Sequence, residues 1–248
     1  MTLRKSPLVA VLLSSLALVA ACKKPTDEGT APSATASASA APTASATTAP
    51  SASAAPTASV DPSKSPKLGA DAPEWKLVAK PSAADVTKGD VKGSANAHQF
   101  DAKQIYIEPG LSKWTLVIAD QALDKPTGFL PTGAQSIKVD FTDATPAKGK
   151  KYQKDLKYGD GYFQIAQPKD PTKTTSWNAD NSFYVEITDW DVKPYDPKKM
   201  FQEAGKASGK VYVAYKGFGD FKNSGVAGEF KDVVVRYMGE PFYMKKKK

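Results

Sequence analysis

Histidine and cysteine are almost missing from this sequence: 248 residues hold one of each, His98 and Cys22. A single cysteine excludes an internal disulfide, and a hydrophobic core must therefore hold any domain together. Zinc sites draw on several His or Cys ligands, so only carboxylate-rich ligation would remain. A nucleophilic site of the Ser-His-Asp or Cys-His kind would have to use His98. That residue sits between Ala97 and Gln99, with Ser94 nearby and no nucleophile-elbow sequence. It reads as a hydrogen-bonding surface or loop histidine. No EF-hand loop occurs, and no Gly-rich loop links a strand to a helix, because Gly217-Phe218-Gly219 falls in a β context. No catalytic residue, metal site or cofactor is called for.

Charge of one sign is also missing from most of the chain. The formal net charge is +8, but Arg4, Lys5, Lys23, Lys24 and Lys245 to Lys248 supply all of it. The remainder is neutral, which argues against a nucleic-acid binder with a basic face. The terminal lysines are read as a solvated tail that is also able to touch anionic headgroups.

Apolar runs are short. Residues 6–21 give sixteen positions, fewer than the ~20 a spanning helix needs. Preceded by Arg4 and Lys5 and closed by small residues, this stretch has the form of a secretory signal peptide. Its ending, Val19-Ala20-Ala21-Cys22, resembles the lipobox of bacterial lipoproteins. That resemblance implies cleavage before Cys22, acylation of its thiol and of the new amino terminus, and permanent attachment to a membrane. One acyl chain binds marginally and stable anchoring takes more than one. Lys23 stands where an Asp would imply inner-membrane retention, so the resemblance favours the outer membrane of a cell envelope.

Every residue from 30 to 59 is Ala, Ser, Thr or Pro. Such a segment has no large side chains to bury against its ordering entropy, and its prolines interrupt any helix. Residues 22–72 are thus expected to be a lipidated Cys and a disordered spacer, of which residues 25–72 would span roughly 40 Å as a flexible coil. The remaining expectations are a signal peptide over 1–21, one domain over 73–244 and a lysine tail over 245–248.

The domain reads as strands separated by turn residues. Ile137, Val139 and Phe141 alternate with polar neighbours, as do Phe183, Val185 and Ile187, and Val211, Val213 and Tyr215. Residues 105–107 and 114–118 are apolar on both faces, as central strands are. Residues 162–165, 226–230 and 233–237 add three strands, and 75–79 a weaker one. Asp196, Pro197 and Gly205 have the spacing of an N-cap, first turn and C-cap, which predicts one short helix. The fold class is all-β: a mostly antiparallel β-sandwich or flattened barrel of eight or nine strands, with one short helix. The motifs Val91-Lys92-Gly93, Phe100-Asp101-Ala102, Gly209-Lys210-Val211 and Ser224 to Phe230 also make the domain similar to a class of bacterial envelope β-sandwich proteins of unknown function.

Asp180, Glu186, Asp189 and Asp191 cluster along one strand and read as solvated edge charges. Trp177 stands in a polar run, Lys173 to Asp180, and is placed in a loop. With Asn178 and Asp180 it offers one large apolar face beside hydrogen-bonding groups, the composition of a sugar or peptide contact. The function expected is therefore a non-catalytic, lipid-anchored envelope protein that binds a glycan or protein partner or is structural. The alternative is a tethered hydrolase of envelope polymers using Asp or Glu residues.

Overall fold

The computed structural model describes residues 68–167 and 169–245. The signal peptide, Cys22, nearly all of the spacer and Lys246 to Lys248 lie outside the described residues.

Eleven strands follow in chain order: β1 (Lys92–Ala95), β2 (His98–Asp101), β3 (Gln104–Pro109), β4 (Trp114–Ala119), β5 (Ser136–Thr142), β6 (Lys151–Tyr158), β7 (Gly161–Gln167), β8 (Asp170–Trp177), β9 (Asp180–Val192), β10 (Phe201–Tyr215) and β11 (Ser224–Met238). They form one curled mixed sheet with nine strands on its main path, in the order β6-β9-β10-β11-β3-β4-β5-β7-β8. The fold is all-β and mostly antiparallel; β11 with β3 is the parallel pair. The β1–β2 hairpin attaches to the first half of β11, through Gly225, Val226 and Ala227, and β3 to the second half, through Val234 and Val235.

Curling turns one face of the sheet inward. Alternation then sends Ile107, Leu116, Ile137, Val139, Phe163, Val185, Val211, Val213 and Val235 into a single core. The alternation expected of β5 is realised, whereas residues 183–185 of β9 and 211–215 of β10 are buried on both faces, and β4 is buried on both faces as its composition implies. Across the core, the Tyr215 hydroxyl donates to the Lys138 carbonyl, tying β10 to β5. Phe141 packs edge-on against Tyr152, 5.1 Å between centroids, which brings β5 up to the outermost strand β6.

The expected helix at 196–205 is absent. Asp196 instead caps a tight turn: its carboxylate accepts from Lys198 N at 3.0 Å and its carbonyl from Lys199 N at 2.9 Å. Phe201 then enters β10 opposite Met238, and Gly205, at φ +151°, forms a bulge whose missing Cβ admits the Asp191 carbonyl. Ala204 is buried on the strand, not on a helix face. The valine-rich β11 offers this segment a complete ladder, which outweighs one turn of local helical signal. Among the described residues the helical pieces are two 3-10 turns, Ala83–Asp85 and Phe242–Met244.

Two segments read as separate strands, 226–230 and 233–237, are one. Lys231 and Asp232 lie between Phe230, which pairs Gly209, and Val233, which pairs Ala207. Asp232 adopts φ +51° and its N–H donates to Ser208 Oγ at 3.0 Å, so this is a bulge rather than a turn. Conversely, residues 75–79 are extended without joining the ladder. Side chains hold them on the outer face of β9 and β10: Tyr212 Oη donates to Lys76 O and accepts from Val78 N, and Ser182 Oγ donates to Val78 O. Trp75, Leu77 and Val78 there cover Tyr184, Tyr212, Ala214 and Ala227, a second small apolar cluster.

Candidate functional site

The outer face of β11, β3, β5, β7 and β8 is largely polar, and a long connection folds back over it. Residues 120–135 join β4 to β5, far more than a hairpin between neighbouring strands requires. Its neck is fixed by Asp120, whose carboxylate accepts from Gln135 N at 2.8 Å and Gln135 Nε2 at 3.1 Å. Burial pushes the Asp120 carboxyl up, against the opposing pull of those two bonds. Gln135 in turn accepts from Ala166 N of β7 at 3.0 Å.

The middle of the connection is held by Arg236 of β11. Its side chain is 3 % exposed. Nε donates to Glu108 at 2.8 Å, and Nη1 donates to the carbonyls of Pro126 at 3.0 Å and Gly128 at 2.6 Å. The guanidinium lies 3.8 Å over the Tyr106 ring. Three donors are thereby matched to three acceptors over an aromatic face, the arrangement for which arginine is suited and lysine is not. The parallel β11–β3 pairing sets Arg236 beside Glu108. Burial, with Glu108 adding to it, drives the Tyr106 hydroxyl far above its ordinary range, so it remains protonated.

Between this pinned connection and the sheet lies a cleft of about 460 Å³. Phe129, Leu130 and Pro131 form its rim, and Lys138, Gln164 and Thr174 its polar floor. Phe129 is 79 % exposed. Gln164 Nε2 donates to Thr174 Oγ1 at 2.8 Å, and Lys138 Nζ donates to Tyr162 Oη at 2.7 Å. The floor thus presents amide, hydroxyl and ammonium groups in fixed orientation beside one free aromatic ring.

The residues singled out from sequence are elsewhere, and they diverge. Trp177 ends β8 rather than standing in a loop, and its ring turns inward against Phe163 and Phe221, at centroid distances of 4.0 and 4.2 Å. Asn178 is exposed. Asp180 opens β9, with its carboxylate 4.0 Å from Lys216 Nζ. A hollow of about 200 Å³ nearby is lined by Phe221, Gln167, Lys169, Thr175 and Asp220.

His98 Nδ1 lies 3.3 Å from Asp71 Oδ1, while the buried Ser94 hydroxyl has no hydrogen-bond partner. Asp189 pairs with Lys148 at 3.0 Å, and Glu186 accepts from Tyr184 Oη at 2.8 Å. Among the described residues no three His, Cys, Asp or Glu side chains converge to hold a metal ion. The densest ionic group is structural. Asp160, in the β6–β7 turn, takes Lys113 and Lys154, and Lys154 also donates to Asn181 Oδ1 and Gly159 O. Burial lowers the Lys154 ammonium; at Asp160 burial is outweighed by the two lysines, which hold the carboxyl below its usual range.

No family model matches the chain, and neither a curated protein nor a solved structure matches it.

Proposed function

We propose that this is a lipid-anchored protein of the bacterial cell envelope whose β domain binds a glycan in the cleft beneath the β4–β5 connection. The anchoring half rests on the sequence around Cys22. The binding half rests on the cleft, and one observation carries it: an exposed aromatic residue, Phe129, lines the same cleft as Lys138, Gln164 and Thr174. A sugar has an apolar C–H face and a rim of hydroxyls; ring and floor answer one each. Arg236 and Glu108 satisfy each other and the loop, so they shape the cleft without presenting a bare charge to the ligand. A neutral or weakly acidic oligosaccharide suits such a site better than a polyanion. The domain acts by holding this ligand, not by turning it over.

Titration calorimetry with soluble fragments of peptidoglycan and of lipopolysaccharide core tests the binding half. Phe129→Ala is expected to weaken binding about tenfold or more, as for an interface anchor, with the melting temperature unchanged because the ring is exposed. Equal affinity in Phe129→Ala, or no affinity for any envelope oligosaccharide, overturns the glycan reading. For the anchoring half, Cys22→Ser is expected to shift the protein from the membrane to the soluble fraction. A Cys22→Ser protein that is cleaved and still membrane-bound refutes acylation.

A further inference from the structure

One end of the curled sheet gathers three segments from distant parts of the chain: residues 110–113 of the β3–β4 hairpin, residues 193–201 before β10, and residues 240–245 after β11. Aromatic rings join them. Tyr243 stacks on Trp114 at 6.0 Å, Trp114 meets Trp190 at 5.7 Å and Tyr237 at 5.9 Å, and Tyr195 meets Tyr237 at 5.3 Å. Tyr243 Oη also donates to Tyr237 Oη at 3.2 Å, and Phe201 pairs with Met238. This rigid plug leaves apolar side chains outside it. Of the nine exposed large hydrophobic residues among those described, five lie on these short segments: Leu111, Met200, Phe201, Tyr243 and Met244. Leu111 is 93 % exposed and Met200 69 %, so the folded domain gains nothing from their burial.

Charge accompanies them. Residues 110–113, 193–201 and 240–245 carry five lysines against two acids, Asp196 and Glu240, with Lys113 taken by Asp160, although residues 25–244 as a whole are neutral. Asp196 is already engaged in its turn. Lys193, Lys198, Lys199 and Lys245 are exposed, and among the described residues they enter no salt bridge.

We propose that this end docks on an anionic phospholipid bilayer. Apolar tips entering the headgroup layer and lysines meeting its charge are the two terms by which a protein lies on a membrane without crossing it. A rigid aromatic base presents the tips without an ordering cost. The cleft under the β4–β5 connection is lined by other side chains, Phe129, Lys138, Gln164 and Thr174 among them. The inference does not depend on acylation of Cys22.

The test is co-sedimentation of residues 23–248 with vesicles; this form keeps every described residue and both apolar clusters, and drops the apolar stretch that would itself seek a bilayer. Vesicles of phosphatidylglycerol and phosphatidylcholine in equal parts are compared with phosphatidylcholine alone. Partitioning is expected to favour the anionic vesicles about tenfold or more and to fall with added salt. Leu111→Ser with Met200→Ser, and separately Lys198→Glu with Lys199→Glu, are each expected to lower it about tenfold. Near-ultraviolet circular dichroism of both variants should retain the signal of the aromatic plug. Equal binding to neutral vesicles, or unaltered binding of either variant, overturns the proposal. So does a dimer in sedimentation equilibrium that Leu111→Ser with Met200→Ser dissociates, since a second copy would then cover this face.

Discussion

Arg236→Met is the most informative single change in this domain. Methionine fills much of the same volume but donates nothing. The variant strands the Glu108 carboxylate and leaves the Pro126 and Gly128 carbonyls without their donor. A hydrogen bond to a charged group contributes about 1.5–3 kcal/mol and a neutral one about 1 kcal/mol. The stacking on Tyr106 adds about 1 kcal/mol. These terms share one side chain and do not add in full. Glu108 is 21 % exposed, so water reaches the stranded carboxylate and the loss falls below the full penalty for breaking a buried ion pair. The expected loss is about 3 kcal/mol, or a fall of ~6–12 °C in melting temperature for a domain of this size. Arg236→Lys keeps a charge near Glu108 but lacks the fork, and should lose about 1–2 kcal/mol. Adding Glu108→Gln to Arg236→Met should recover about 1 kcal/mol by removing the stranded charge. Urea unfolding measures these differences, and chymotryptic cleavage at Phe129 reports release of the β4–β5 connection. If Arg236→Met costs under about 1 kcal/mol and Phe129 is cleaved no faster, Arg236 does not hold the loop and the cleft has another origin.

Four further outcomes are expected. Tyr215→Phe removes the donor to Lys138 O across the core and should cost about 1–2 kcal/mol in urea unfolding; a neutral effect would mean the carbonyl is served from elsewhere. At Gly225 an added Cβ would overlap the Trp75 indole and the Val213 carbonyl, so Gly225→Ala should destabilise by about 2 kcal/mol or more and shift tryptophan emission to the red as Trp75 leaves the outer face. Trp177→Ala should cost about 2–3 kcal/mol, the lower range for losing a half-buried Trp from the core, and oligosaccharide titration should be unaltered; weakened binding at full stability would restore Trp177 as a contact. Asp160 has its carboxyl held below the unfolded value by Lys113 and Lys154, so its contribution is present above pH ~4 and is lost as pH falls through the lower folded value. Asp160→Asn should therefore flatten the acid limb of a stability-against-pH curve, and an unchanged limb would assign acid sensitivity to other carboxylates.

The strands that alternate cleanly were legible because burial on one face writes period two into the sequence: Ile137, Val139 and Phe141 announce β5 without any partner known. The segment at Asp196 misled because a helix cap and an Asx turn begin identically; the β11 ladder that decides between them is contributed by residues some thirty positions later. The placement of Trp177 in a loop misled because its neighbours face solvent while its own ring packs inward from the end of β8. The cleft had no local signal at all. Arg236 and Glu108 stand 128 residues apart and meet only through the parallel pairing of β11 with β3.

The position of β11 has a consequence for how the chain reaches this state. It is the last of the described strands in chain order, yet it lies between β10 on one side and both β1 and β3 on the other. Without it, the β6-β9-β10 group and the β3-β4-β5-β7-β8 group share no ladder. Closing the sheet must therefore wait for residues 224–238, after long loops have been closed at an entropic cost. A nascent or threading chain that ends before Ser224 has two half-sheets with open edges and no ladder joining them. Commitment to the native state is in this way deferred until β11 is available to pair, a timing written into strand order alone.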